Sequence, residues 1–301
     1  MTTLARIGRV VRKPQFRFGL LVLVPILVWY ALLSFRVNAL AFKMAVIDYD
    51  LLHPEQSVFV GLEHFRTIFE GYKLFWVAGF NTLRYSVMIN AIMLPVSMVL
   101  AYCLAHVARG RDAYQWALFL PVVVSMAAMA LLFRSLMDPD MGTFNRMLNS
   151  VGLPRSKWIT GPRSAMVSIV LVDVWKASGV YTVLLAAGLL NIPAQLYDAA
   201  KVDGANAWQT FARITVPLLQ HTLMLVIILV TIGSLQVYVS ALILTNGGPG
   251  TATTMISQFI ISEGFTNMRF GLASAASLVL FAVILTITMF QMRIMRTTWE
   301  Y

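Results

Sequence analysis

The chain has 301 residues, of which 59% are hydrophobic and 12% charged. A soluble domain carries about 25% charged residues, so there are too few charges here to make a soluble surface, and lipid is the solvent that fits. The formal net charge of +10 does not point to nucleic acid, because the basic residues are scattered among apolar runs; anionic headgroups and membrane topology account for them better.

A bilayer core takes roughly 20 apolar residues in helical form. Six segments qualify, at about 18–35, 82–106, 114–133, 165–190, 219–244 and 271–293. Each must satisfy its own backbone hydrogen bonds, which makes helices the expected form. The expected fold class is therefore an all-α integral membrane protein, a bundle of six transmembrane helices. The chain divides into a basic segment 1–17, a transmembrane domain 18–293 and a tail 294–301. The first apolar run follows a basic stretch, as in a signal peptide. Trp29, Tyr30, Phe35 and Arg36 stand where a small-residue cleavage site would lie, so the run reads as an uncleaved first span ending at Arg36.

Arg6, Arg9, Arg12, Lys13 and Arg17 precede that span with no acid among them, which places the N-terminus in the cytoplasm. Six spans return the C-terminus, with Arg293 and Arg296, to the same side. The cytoplasmic loops are then about 107–113 and 191–218, and the outer ones 36–81, 134–164 and 245–270. The outer loops hold Arg146, Arg155, Lys157 and Arg163, so the dense N-terminal cluster decides the orientation. The loop 36–81 contains Phe59-Val-Gly-Leu-Glu-His-Phe-Arg-Thr-Ile-Phe69, whose aromatics suit a helix lying at the interface.

Cys103 is the one cysteine; it sits in an apolar run and reads as a small buried hydrophobe. His53, His64, His106 and His221 share no metal-ligand spacing. A secondary transporter would show internal repeats or interrupted spans, and neither is evident in the sequence. A membrane-embedded enzyme would need paired acids or a histidine cluster within spans, which Asp173 alone does not supply.

The loop 191–218 has the most local architecture. Pro193 fits the first turn of a helix and Gly204 its left-handed stop, with about three turns between them. Asn206 can cap a second helix, on which Trp208, Phe211 and Ile214 share one face. Pro217 is expected to break the chain just before the next span. Asp198 followed by Ala199 and Ala200 gives a smooth patch with an acid beside it, where a partner's arginine can anchor. Packing of that helix against its own bundle is the other reading.

These residues carry a resemblance. Asp198-Ala-Ala, Gly204, Ile214 and Pro217 resemble the cytoplasmic loop of ABC importer permeases, the Glu-Ala-Ala motif with its later glycine and Ile-x-x-Pro. Gly188-Leu-Leu-Asn-Ile-Pro, Tyr197-Asp-Ala-Ala-Lys-Val-Asp203-Gly-Ala and Leu244-Thr-Asn-Gly-Gly-Pro249 resemble the carbohydrate-uptake, maltose-permease-like branch. Phe59-Val-Gly-Leu-Glu-His-Phe65 and Asn81-Thr-Leu resemble its other signatures, and the resemblance runs from about residue 16 to 295. Asp198 stands where the family usually has glutamate. The resemblance implies a bacterial or archaeal inner-membrane location and a pore made with a second, different permease subunit. It also implies an external solute-binding protein, and two ATPase subunits that dock on the loop helix and bind ATP and Mg. This chain has no Gly-x-x-x-x-Gly-Lys-Ser/Thr loop of its own.

Polar residues inside spans mark the solute path. Trp175, Lys176, Tyr181, Ser234, Gln236 and Tyr238 have the planar, aromatic and hydrogen-bonding character that suits a sugar, and the positions resembling Tyr181 and Ser234 line the family's sugar site. Val237 stands where that family has an asparagine. Helix packing is the alternative for each. Asp173 and Lys176, three apart, can neutralise each other. Arg134 and Lys176 keep an anionic solute, such as a glycerol-phosphate compound, open.

Overall fold

The structure, a computed structural model, describes residues 14–49, 53, 55, 57–107 and 109–294. Arg6, Arg9, Arg12, Lys13 and Arg296 lie outside the described residues. Four helices are long and apolar enough to cross a bilayer, and two bent helix pairs bring the number to six if each pair is one span.

Helix α1 runs Pro14–Tyr30, passes through a π turn at Ala31–Phe35 and continues as Arg36–Ala45. The span therefore does not end at Arg36, as the sequence suggested. Arginine and lysine are good helix formers, and nothing in 36–45 interrupts the ladder, so the helix carries its charges outward until Val46. A two-stranded antiparallel pair, β1 (Ile47–Asp48) and β2 (Val58–Phe59), follows. The expected interfacial helix is α2, Glu63–Arg66, prolonged by a π turn Thr67–Gly71. It is tied down by His64, whose Nε2 lies 3.2 Å from the Ile47 carbonyl.

Helix α3, Lys73–His106, is the mast of the bundle. Its buried face repeats at three- and four-residue spacing through Asn81, Thr82, Tyr85, Ser86, Ile89 and Met93. The polar groups from Asn81 to Asn90 engage other elements, whereas the buried Ser97 hydroxyl has no partner among the described residues. Asn81 Nδ2 donates to the carbonyls of Thr251 (2.8 Å) and Thr254 (3.1 Å). The Ile256 amide donates to Thr82 Oγ1 at 2.9 Å. Ser86 and Ser234 hydroxyls meet at 2.6 Å, and Thr231 Oγ1 donates to Asn90 Oδ1 at 3.4 Å. Two signature segments that are far apart in sequence, around Asn81 and around Gly247, thus form one clamp. Cys103, on the opposite face, is exposed rather than buried.

The third span is α4 (Arg111–Val123) and α5 (Met126–Leu136), which meet at 89°. After α6 (Thr143–Ser150) comes α7, Ser164–Leu190, packed along α3 and α4. Its Gly179 lies so close to α4 that an added Cβ would overlap the Leu118 carbonyl. Beyond α7, α8 is Ala194–Val202, and α9 runs Ala207–Thr210, a π turn Phe211–Thr215, and Val216–Leu218. Helix α10 is Gln220–Leu235, α11 is Val239–Thr245, α12 is Ile256–Ile261 with a π turn Ser262–Thr266, and α13 is Phe270–Ile294.

The fifth span is thus also interrupted, at 236–238, and its approach bends by 72° at Leu219. Pro217 does not break the helix. It sits in the first turn of Val216–Leu218, where its missing N–H costs little, and the bend comes at Leu219. The sequence expectation of uninterrupted spans is corrected at two places.

Gly179 supplies a test of the α4–α7 contact. A valine there meets backbone, which cannot move aside as a side chain can. Overpacking costs about 1–3 kcal/mol, so Gly179→Val is expected to lower the apparent melting temperature of the detergent-solubilised protein by several degrees, whereas Gly233→Ala, with nothing within 4 Å of its added carbon, should not.

Candidate functional site

Two places in the bundle collect the residues singled out in the sequence. The first is an internal cavity of about 330 Å³, lined from α3 by Tyr85, from the α4–α5 bend by Val122 and Met126, and from α7 by Asp173, Lys176 and Tyr181. From the α10–α11 break come Ser234, Val237, Tyr238 and Ser240. Of the six path candidates, Lys176, Tyr181, Ser234 and Tyr238 line it. Trp175 and Gln236 do not. Trp175 is turned about 100° from Lys176 on the same helix and packs on Phe133, ring centroids 5.3 Å apart. Gln236 is exposed at the end of α10, where the chain leaves the helix.

Asp173 and Lys176 interact through their charges but are not in salt-bridge contact; the salt bridges among the described residues are Arg66–Glu70, Lys201–Asp198 and Arg269–Glu263. Asp173 accepts hydrogen bonds from the Tyr85 hydroxyl and from Ser240 Oγ (2.8 Å), both on one carboxylate oxygen. Lys176 Nζ donates to the carbonyls of Val122 (3.1 Å) and Pro121 (3.5 Å). These carbonyls belong to the last turn of α4, where no later amide is available to them. The ammonium takes the place of the missing helical donors and also suits the negative end of the helix dipole. At the other interrupted span, Arg134 Nη1 donates to the Ile243 carbonyl at 3.2 Å, near the end of α11.

Tyr85 was not read from the sequence, and Ser240 was noted only as a polar residue of the fifth span. The available signal was the period: Asn81, Thr82, Tyr85, Ser86 and Asn90 fall on one helical face within an apolar run, a pattern that marks an inward polar stripe.

The second place is the loop 191–218, at the far end of α3. Asn81 holds Thr251 and Thr254, while Tyr102 and His106 line a groove of about 500 Å³ together with Tyr197, Asp198, Lys201, Phe211 and Thr215. Asn81 and His106 are 25 residues apart, about 38 Å of helix, enough to cross a hydrocarbon core of about 30 Å. Helix α8 ends as the sequence predicts. Gly204 has φ +72°, its amide donates to Lys201 O at 3.1 Å, and the Ala205 amide to Ala200 O at 2.9 Å, the bond pair of a Schellman stop. Asn206 caps α9 through reciprocal bonds with Gln209, at 2.8 and 2.9 Å.

On α8, Ala200 is buried and Ala199 exposed. Tyr197 reaches back to Thr215 Oγ1 at 3.4 Å. Asp203 is the C-cap residue. Ile214 lies in the π turn of α9 and Pro217 just after it. Among the described residues Asp198 pairs with Lys201, at 3.2 Å, with side chains 70% and 77% exposed. An exposed pair of this kind contributes about 0–1 kcal/mol, so it does not commit the carboxylate. In the loop joining α5 and α6, the amides of Met141 and Asp140 hold the Asp138 carboxyl below the usual carboxylate range. That turn is therefore held at neutral pH and loosens only in acid, as pH falls through the lowered pKa.

Among the described residues no three or more His, Cys, Asp or Glu side chains come together as metal ligands.

Residues 93–298 match the family model described as binding-protein-dependent transport system inner membrane component. The chain is 30% identical over 284 residues to a probable ABC transporter permease protein, YurN, of Bacillus subtilis, covering 93% of this chain and 96% of the relative. It is 32% identical to the trehalose/maltose transport system permease protein MalF of Thermococcus litoralis, over 82% of this chain and 83% of that one. It is also 32% identical to the sulfoquinovosyl glycerol transport system permease protein SmoG of Agrobacterium fabrum, over 79% and 77%. A chain in the crystal structure of a bacterial ABC transporter that imports the acidic polysaccharide alginate superposes with a TM-score of 0.82, at 26% identity, over 98% of this chain and all of that one.

The Lys176 contacts give a second test. Lys176→Met removes the donor to two carbonyls inside the bundle. A hydrogen bond to a charged group contributes about 1.5–3 kcal/mol, so thermal unfolding of the purified protein should shift down clearly, and Lys176→Arg should recover most of the loss.

Proposed function

The chain belongs to the family of binding-protein-dependent transport system inner membrane components, and from that premise we propose that it carries a carbohydrate across the membrane as a permease subunit of an ATP-driven importer. The observation that carries the reading is the position of α8: an exposed Asp198-Ala-Ala helix with a glycine stop, strung between the two helices that line the cavity. Helix α7 runs from Lys176 and Tyr181 straight to Asn191, and α9 leads from α8 into α10, which carries Ser234. A force on α8 therefore reaches both walls of the cavity, through α7 on one side and through α9, the bend at Leu219 and α10 on the other.

In this reading two partner ATPases hold ATP and Mg and dock on the groove beside α8, with Asp198 accepting from a partner arginine. Tyr197, Ala199, Ala200, Asp203 and Gly204 shape the docking helix, and Ile214 and Pro217 belong to the strut that transmits its movement. A second, different permease subunit completes the pore, and a solute-binding protein delivers the solute from outside. The N-terminal basic cluster supports a cytoplasmic N-terminus, and the six-span count a cytoplasmic C-terminus, in a bacterial or archaeal inner membrane. The carbohydrate is supported by the lining of the cavity, which includes the hydroxyl-bearing residues Ser234 and Ser240 and the three tyrosines Tyr85, Tyr181 and Tyr238. It is supported also by relatives named for trehalose and maltose, sulfoquinovosyl glycerol and arabinooligosaccharides.

For the solute path, Tyr181→Ala is expected to lower ATP-driven uptake of the transported sugar about tenfold, the loss of one hydrogen bond and ring contact, while the yield of complex stays unchanged. Normal uptake with normal yield would return Tyr181 to a packing role.

For the coupling helix, Asp198→Lys removes a charge-assisted bond of about 1.5–3 kcal/mol. Gly204→Val forces a branched residue into a left-handed conformation and misdirects α9. Both variants should remain in the membrane, lose uptake, and recover less ATPase on purification; Asp198→Glu should be mild. Full uptake and full ATPase recovery with Asp198→Lys would show that α8 is not the coupling element.

A further inference from the structure

The polar groups that line the inner cavity are not equally free to meet a solute. Ser234 Oγ donates to the Thr231 carbonyl at 2.8 Å and meets Ser86 Oγ at 2.6 Å. The Tyr85 hydroxyl and Ser240 Oγ both give their protons to Asp173. Lys176 Nζ is turned to the carbonyls of α4. Tyr181 and Tyr238 line the same cavity, and no hydrogen bond among the described residues engages their hydroxyls.

Asp173 has a free side of another kind. The residue is 9% exposed, and both of its donors sit on Oδ2. Its Oδ1 has no donor among the described residues. Other groups there, such as Thr182 Oγ1 and Glu263 Oε2, are buried without a partner. Asp173 Oδ1 is not one of these sealed atoms, so it keeps accessible surface, and the cavity is what its residue lines. An ionised carboxylate oxygen takes more than one hydrogen bond and is costly to leave without any. The lining around it, with Ile89, Met93, Met126, Val230 and Val239, is largely apolar. The donor that Oδ1 lacks is therefore one that a solute brings.

Charge narrows what that solute is. A carboxylate or sulfonate would meet Asp173, whose charge no salt bridge neutralises, while Lys176 has two of its three donors turned to α4. An ammonium would meet Lys176, three residues further along the same helix. The two charges interact with each other and leave the wall neutral in sum. Hydroxyls suit both, because each donates and accepts.

We propose that Asp173 grips the solute in the inner cavity, its Oδ1 accepting from a ring hydroxyl of an uncharged sugar, with Tyr181 and Tyr238 completing the contacts and acidic sugars excluded. The proposal rests on the carbohydrate reading above and names the class of sugar.

The experiment uses the whole complex in proteoliposomes and reads the sugar concentration that half-saturates ATP-driven uptake. Trehalose, maltose and an arabinotriose are the neutral probes; sulfoquinovosyl glycerol and an alginate trisaccharide are the acidic ones. The unaltered complex should take up a neutral probe and neither acidic one. Monodeoxy analogues of that neutral sugar then locate the hydroxyl, and one of them should need about tenfold more sugar than the parent. Asp173→Asn keeps a carbonyl oxygen for Tyr85 and Ser240 but turns an N–H donor to the cavity. It should raise the half-saturating concentration of the parent sugar about tenfold. For the one sensitive analogue the two losses should not combine, because the hydroxyl and its acceptor are a single bond. A residue that only held Tyr85 and Ser240 in place would give losses that multiply for every analogue. An unchanged half-saturating concentration with Asp173→Asn, losses that multiply for every analogue, or uptake of an acidic probe by the unaltered complex overturns the assignment of Asp173 and leaves the carbohydrate reading standing. The acidic probes need no variant, so the assignment can fail even where Asp173→Asn does not assemble. Absence of uptake for every probe overturns the carbohydrate reading and this assignment with it.

Discussion

Hydrocarbon offers a backbone carbonyl nothing to bond with, and the interior of this bundle is arranged around that constraint. Two spans stop and restart inside the membrane domain, leaving helix ends where water is not at hand. At the break in the third span, Lys176 reaches two carbonyls of α4; beyond the other break, near the far end of α11, Arg134 reaches one more. Each basic residue comes from a different span than the end it serves. The α4–α5 break is thus a tertiary feature, held by a neighbour's side chain, whereas at 236–238 the chain satisfies its own amides through Gly233 and Ser234. The same breaks open the cavity: Val122 and Met126 flank one, and Val237 and Tyr238 lie in the other.

The polar stripe of α3 answers the same constraint in the opposite direction. It brings hydroxyl and amide groups into the bundle and, from Asn81 to Asn90, matches them to groups on other helices or turns. Asn81 and Thr82 hold the 251–256 turn, Tyr85 holds Asp173, Ser86 holds Ser234, and Asn90 receives Thr231. Apolar packing alone would let helices slide in lipid, since their flanks and the tails around them are equally apolar. Bonds of this kind set a register. The register places Asp173 and Ser240 on one side of the cavity and Lys176 at the α4 end.

Much of this was legible in the sequence, for identifiable reasons. Six spans follow from run length, and the α8–α9 turn follows from Pro193, Gly204, Asn206 and Gln209, whose chemistry is local. The boundary of α1 was misread because Arg36 was taken as an end; a charge ends a span's contact with lipid, but it does not end a helix. Pro121 lies in the last turn before the break near Val124 and Gly233 in the last turn before that near Val237, but both residue types also occur within continuous helices of this chain, and Lys176, which holds the first break, lies far away in sequence. Asp173 and Lys176 looked like a pair because helical spacing allows it, but each had a better partner on another element. Glu263 drew no notice in a polar outer loop, since only the fold shows that it is buried.

The bend of 72° between α9 and α10 at Leu219 has a mechanical meaning. A straight continuation of α10 would pass on only motion along its own length. An elbow works as a bell crank: a thrust in the plane of the membrane on the short arm, α9, becomes rotation of the long arm about its axis. In the proposed coupling role, rotation of α10 would swing Ser234 and the chain break beyond it around the cavity rim, and a lateral squeeze at the surface would reach the interior as a twist.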